Sequence, residues 1–127
     1  MKENKFQASL IRTIKNLLPG CIILKNDPKY IQGIPDLLIL YGPSWAALEV
    51  KRSEDEEHQP NQDYYIELMS SMSFAEFIYP ENCQEILNNM INYLKYSEVV
   101  NKPFNQLDER QLFIGDFINQ NNYSVAA

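Results

Sequence analysis

The stretch that most limits how this chain can fold is 33–51, GIPDLLILYGPSWAALEVK. Two short apolar runs flank Gly42-Pro43, a turn-forming dipeptide, and read as a pair of adjacent strands. A buried strand pair is expected to be apolar throughout. This one carries Asp36 at its entrance and Glu49 and Lys51 at its exit. Strand side chains alternate between faces, so Glu49 and Lys51, two residues apart, share one. Burying a carboxylate and an ammonium among Leu, Ile and Val is costly unless they are paired or bind an ion. Charges kept in such a place point to a site.

Whether Asp36 joins that face depends on the hairpin register. A loop of Gly42-Pro43 alone sets Asp36 opposite Glu49, and a four-residue loop, 42–45, sets it opposite Lys51. A three-residue loop sets it opposite Val50, on the wrong face unless a bulge intervenes. Two of the three registers therefore bring two carboxylates and an amine together. Two hard oxygen ligands suit Mg²⁺, which commonly keeps several waters and takes only one or two protein carboxylates. An amine beside them is placed to orient a metal-bound water.

Pro35-Asp36, twelve intervening residues and Glu49-Val50-Lys51 together resemble the signature of the PD-(D/E)XK nuclease superfamily. The fuller phrase GIPDLLIL…ALEVKR is similar to the VRR-NUC branch. The resemblance implies a restriction-endonuclease-like core of order αβββαβ, in which three antiparallel strands, a crossover helix and a returning strand build the sheet. It also implies a metal-dependent phosphodiesterase acting on DNA.

The length of 127 residues fits one domain with a single modest core. No apolar run approaches the roughly 20 residues that span a bilayer. The N-terminal MKENKFQASL lacks the apolar core of a secretory signal. Cys21 and Cys83 are too few for a disulfide framework and read as reduced core residues. These features set the expectation of a cytoplasmic protein with no membrane partner. The net charge of −6 is awkward for a nucleic-acid enzyme. Its distribution is uneven, however: residues 1–52 hold eight of the eleven Lys and Arg but only four acids. A basic face on an acidic molecule is therefore compatible with the sequence.

From the N-terminus, Phe6, Leu10, Ile11, Ile14, Leu17 and Leu18 recur at helical spacing and predict a helix over 3–18. Lys2, Lys5, Arg12 and Lys15 fall on its other side. Glu3 projects near the middle of the apolar arc, which fits either an acid at a helix N-terminus or a third carboxylate of the site. The superfamily often draws a glutamate from this helix. Pro19-Gly20 ends the helix, and residues 21–25 form a first strand. The polar segment 26–34 leads into Asp36 and reads as the rim of the site. Residues 53–58, SEDEEH, read as a solvated, mobile loop or as a flap that repels non-substrate DNA. His58 is the only histidine, and no His-based site follows from it.

A second helix is expected over about 61–72, with Tyr65, Leu68, Met69 and Met72 as its apolar stripe. Gln62 lies at its start, facing the sheet. In HQPNQDYYIELM it matches the glutamine of the VRR-NUC pattern better than Gln59 does. A fourth strand over 74–79 and a third helix from residue 81 or 82 to about Lys95 follow. Cys83, Ile86, Leu87, Met90, Ile91 and Leu94 form the core face of that helix. The whole reads as an α/β (α+β) domain with a central mixed four-stranded sheet. Residues 1–96 form the nuclease-like core and 97–127 a C-terminal helical extension.

The resulting expectation is a Mg²⁺-dependent DNA endonuclease, with Mn²⁺ able to substitute. Asp36 and Glu49 hold the metal with the Val50 carbonyl as a further ligand, and Lys51, Gln62 and Glu3 complete the site. Lys5, Arg12, Lys15, Lys25, Lys29, Tyr30 and Arg52 attract the nucleic acid. Small stand-alone members of the family often act as homodimers on branched (Holliday junction) DNA, and the C-terminal segment is the expected dimer contact. The alternative is a non-catalytic nucleic-acid- or protein-binding module that has kept the nuclease fold. The acidic balance favours it, and the Asp, Glu and Lys triplet opposes it.

Overall fold

The structure, a computed structural model, describes residues 3–100, with the side chains of 4–97. Seven elements follow in chain order: α1 (Glu3–Leu17), β1 (Ile22–Lys25), β2 (Leu37–Tyr41), β3 (Ser44–Val50), α2 (Gln62–Ser70), β4 (Phe74–Ile78) and α3 (Cys83–Val100). The strands form one mixed sheet in the order β1-β2-β3-β4. The first three are mutually antiparallel, and β4 runs parallel to β3 after the α2 crossover. The mixed four-stranded sheet and the αβββαβα order expected from the sequence are both present. The expected C-terminal extension and dimer contact lie, beyond Val100, outside the described residues.

Alternation along the strands divides the sheet into two unlike faces. On one face Leu37, Ile39, Ala46, Leu48, Val50, Phe74 and Ile78 meet Phe6, Leu10, Ile14 and Leu18 of α1. They also meet Ile86, Leu87, Met90, Ile91 and Leu94 of α3. Fully burying each such side chain contributes about 1.5–3 kcal/mol, so this layer holds the domain together. The other face has a small cluster only, Ala47, Ile66 and Ala75, with Leu38, Trp45, Met69 and Phe77 packed against it. The small Ala47 and Ala75 let the short α2 lie close to β3 and β4.

Three expectations need correction. The stripe of α2 holds only in part: Met69 packs on the sheet beside Ile66, the buried residue, whereas Leu68 is 38% and Met72 53% exposed. The helix lasts nine residues, so Met72 falls past its end. The third helix does not stop near Lys95 but runs to Val100. A buried hydrogen bond between its Ser97 and Ser44 at the hairpin, 2.5 Å Oγ to Oγ, secures its later turns. The loop 53–58 is mostly exposed, as expected, but Glu56 within it is half-buried and turns in toward Lys51 and Arg52.

Candidate functional site

The turn between β2 and β3 decides the geometry. Tyr41 pairs with Ser44 and Leu37 with Leu48, so the loop is Gly42-Pro43 alone, with Gly42 at φ 56°. The same register carried one step further sets Asp36 opposite Glu49. The Asp36 Oδ2 accepts a hydrogen bond from the Val50 N–H at 2.9 Å, which locks the carboxylate to the end of β3. Asn26 holds Asp36 from the other side. Its N–H donates to the Asp36 carbonyl at 2.8 Å and its Nδ2 to the Pro35 carbonyl at 2.8 Å. A side chain that reads as ordinary loop polarity thus fixes the entrance to β2.

Glu49 and Lys51 share the α2 face of β3, as their spacing requires. They are 4% and 2% exposed. Burial at that depth demands partners, and Gln62 supplies one to each. Its Nε2 donates to Glu49 Oε2 at 3.1 Å, and its Oε1 accepts from Lys51 Nζ at 2.6 Å. Gln62 Oε1 also takes the Gln59 N–H at 2.8 Å. Of the two glutamines considered from the sequence, Gln62 is the one whose side chain enters the site. It is the first residue of α2, and a glycine holds that helix start in place. Gly33, at φ +89°, packs so closely that a Cβ there would lie 2.6 Å from Asn61 Cβ and 2.8 Å from the Pro60 carbonyl oxygen. The rim loop 26–34 is thereby seated on the turn that presents Gln62.

Lys51 has two further partners that sequence reasoning missed. Its Nζ donates to the Glu57 carbonyl at 3.2 Å and lies 3.5 Å from Glu56 Oε2. The other Glu56 oxygen accepts from the Arg52 N–H at 3.0 Å and from Arg52 Nε at 2.9 Å. Burial alone would raise the Glu56 carboxyl. The Arg52 backbone and guanidinium, with the Lys51 ammonium, outweigh it and hold the group below the usual glutamate range. The available signal was the run of four acids, 54–57, one residue after Lys51-Arg52. His58, the lone histidine, stacks on Phe77 at 4.1 Å between centroids and pairs with Asp63 at 2.8 Å, which ties the far end of the same loop to β4 and α2.

The remaining expected site residues are scattered. Lys25, Lys29 and Tyr30 are exposed at or beside the rim, Tyr30 at 85%. Arg52 is exposed at the mouth of the acidic loop. Lys5, Arg12 and Lys15 are exposed on α1, which covers the face of the sheet opposite to Glu49 and Lys51. The structure does not bring those three to the site. Glu3 opens α1, but its side chain lies outside the described residues. Val50 meets Asp36 through its N–H.

Among the described residues no group of three or more His, Cys, Asp and Glu is arranged to hold a metal ion. Asp36 and Glu49 are two carboxylates on opposed strands, a number compatible with Mg²⁺, which commonly takes one or two carboxylates and fills its remaining positions with water. No helix among the described residues is long and apolar enough to cross a membrane. Comparisons with protein-family models, with curated proteins and with solved structures returned no match for this chain.

Proposed function

We propose that the chain is a metal-dependent DNA endonuclease with a PD-(D/E)XK-type core. The observation that carries this reading is the bridge from Glu49 through Gln62 to Lys51, with Asp36 falling opposite Glu49 in the register. Four polar groups from three separated segments meet at the exit of β3, and no packing role requires them there.

In this reading Asp36 and Glu49 would hold a divalent cation, which would offset phosphate charge and supply an activated water. The Val50 N–H fixes Asp36, and Gln62 fixes Glu49, so neither carboxylate needs to reorganise. The Lys51 ammonium, aimed by Gln62 Oε1 and the Glu57 carbonyl, donates to a phosphate oxygen or to the attacking water and offsets charge as it develops. Lys25, Lys29 and Arg52 attract the flanking phosphates. The α1 cations belong to the layer behind the sheet and are left out of that path. Branched DNA, handled by a homodimer, is the substrate class proposed.

The experiment is cleavage of supercoiled, single-stranded and four-way-junction DNA with Mg²⁺ or Mn²⁺. Asp36→Asn and Glu49→Gln keep the shape and much of the hydrogen bonding of the originals. Each is expected to lower the cleavage rate by about 10²-fold or more, at the scale of one lost electrostatic group, with an unchanged circular dichroism spectrum. Cleavage at the wild-type rate by either variant removes the mechanism. The acid over Lys51 favours the second reading, a binding module that has kept the fold. Calorimetric titration separates the two: such a module takes up no Mg²⁺ at Asp36 and Glu49.

A further inference from the structure

The Glu56 carboxylate sits in a cradle made for an anion. One of its oxygens receives two N–H donors from a single residue, the Arg52 backbone at 3.0 Å and the Arg52 guanidinium at 2.9 Å. The other faces the Lys51 ammonium at 3.5 Å. A backbone amide, a guanidinium and an ammonium converging on one group are the donors that recognise a phosphate. The tightness of the grip is uneven. Lys51 is 3% exposed and has two other partners, whereas the Arg52 side chain is 64% exposed. Arg52 and its loop can therefore release Glu56 while Lys51 stays in place.

We propose that Glu56 occupies a phosphodiester-binding position next to the reaction centre, as an internal competitor that a nucleic-acid phosphate displaces. The position is built from Arg52 N–H, Arg52 Nε and Lys51 Nζ, and the ligand it takes is a phosphate monoanion of the backbone. The inference rests on the nuclease reading for the identity of that phosphate, but the cradle's affinity for an anion does not depend on cleavage. The loop also explains how an acidic run tolerates a neighbouring nucleic-acid site. Its half-buried Glu56 neutralises the cradle when no substrate is present and swings aside with its own charge when substrate enters.

The test is equilibrium binding of a short fluorescent DNA duplex, by anisotropy across a salt series with Ca²⁺ in place of Mg²⁺, to the full chain. Glu56→Gln removes the competing charge and retains an acceptor for Arg52. Asp55→Asn removes the same charge from an exposed neighbour and serves as the reference. Glu56→Gln is expected to bind roughly tenfold tighter, the size of one charge-assisted hydrogen bond. Its log–log salt slope should steepen by about one phosphate contact, while Asp55→Asn changes little. Equal gains in both variants mean general electrostatics and overturn the proposal, as does no gain in Glu56→Gln. Should Glu56→Gln fail to fold, Arg52→Gln in the wild-type background decides. Weaker binding with a shallower slope supports the cradle, and unchanged binding sinks it. Failure of the nuclease reading shows elsewhere, as undiminished cleavage by Asp36→Asn. A cradle that gains affinity in a chain that does not cleave would keep the phosphate site and discard the reaction.

Discussion

The two faces of β3 make opposite uses of the same seven-residue strand. Ala46, Leu48 and Val50 disappear into the cluster under α1 and α3, where the contacts are mainly apolar and many side chains share the work. Ala47, Glu49 and the adjoining Lys51 point the other way, under a helix of nine residues. There the buried groups are few, and the charged ones are held by specific hydrogen bonds and ion contacts. Burial that only stabilises can be spread over many similar residues. Burial that positions chemistry must be specific, and it costs stability when any one member is lost.

The sharpest way to break this comparison is to remove one charge and then the whole network. Lys51→Met takes the ammonium away from Gln62 Oε1, the Glu57 carbonyl and the Glu56 carboxylate. It is expected to cost about 3–5 kcal/mol in urea unfolding, the range for breaking a buried pair. Replacing Lys51, Glu49 and Gln62 together by Met, Leu and Leu should recover most of that loss while abolishing cleavage. If the triple variant is as unstable as the single one, the network is a structural element, and the contrast between the faces fails.

On the opposite face the expectation reverses. Leu48→Ala empties space in the main cluster and should cost about 2–5 kcal/mol. Cleavage measured where the variant is fully folded should stay near wild type, because Asp36 and Glu49 are held by main chain and by Gln62 rather than by Leu48. A rate loss without unfolding would show that the core layer tunes the site.

How much of this was legible beforehand divides along the same line. The apolar face was readable, since Phe6, Leu10 and Ile14 of α1 and the six named residues of α3 repeat at helical spacing and are all buried. The positions of Glu49 and Lys51 followed from strand alternation. The register did not follow, because three loop lengths were compatible with the residues and only the pairing of Tyr41 with Ser44 chose between them. The stripe of α2 was misread in part because periodicity over so short a helix, with apolar residues at five of its positions or just past them, does not single out a face. Ile66 is chosen by the gap over Ala47 and Ala75, which is a tertiary fact. Asn26 and Glu56 were invisible for a related reason. Their roles are hydrogen bonds to particular atoms of Asp36, Pro35, Arg52 and Lys51, and composition cannot show which polar loop residue makes them.

Gly33 lets the comparison be sharpened without touching a charge. It belongs to the rim loop, and its contact is with the turn that starts α2. Gly33→Ala must push Asn61 and Pro60 away and also holds a side chain at positive φ, a combination costing about 1–3 kcal/mol. Since Gln62 follows Asn61 directly, cleavage should fall further than the stability loss alone explains, with a binding constant for duplex DNA that changes less. A variant that loses stability and rate in proportion would place Gly33 in the scaffold only.

The smallest effect expected concerns acid. The folded-state value of the Glu56 carboxyl lies below its ordinary one, because Arg52 and Lys51 together overcome the cost of its burial. A depressed carboxyl stabilises the fold above its unfolded-state pKa, and that contribution is lost as pH falls through the folded-state value. In Glu56→Gln this dependence is absent, so the wild-type and variant stability curves should converge below the normal glutamate range and separate above it. Mutating an apolar residue such as Leu48 should instead shift the whole curve by a constant amount. Parallel curves for wild type and Glu56→Gln would mean that the carboxylate gains nothing from its cradle. The polar face would then have lost the one member of its network whose attachment can be titrated directly.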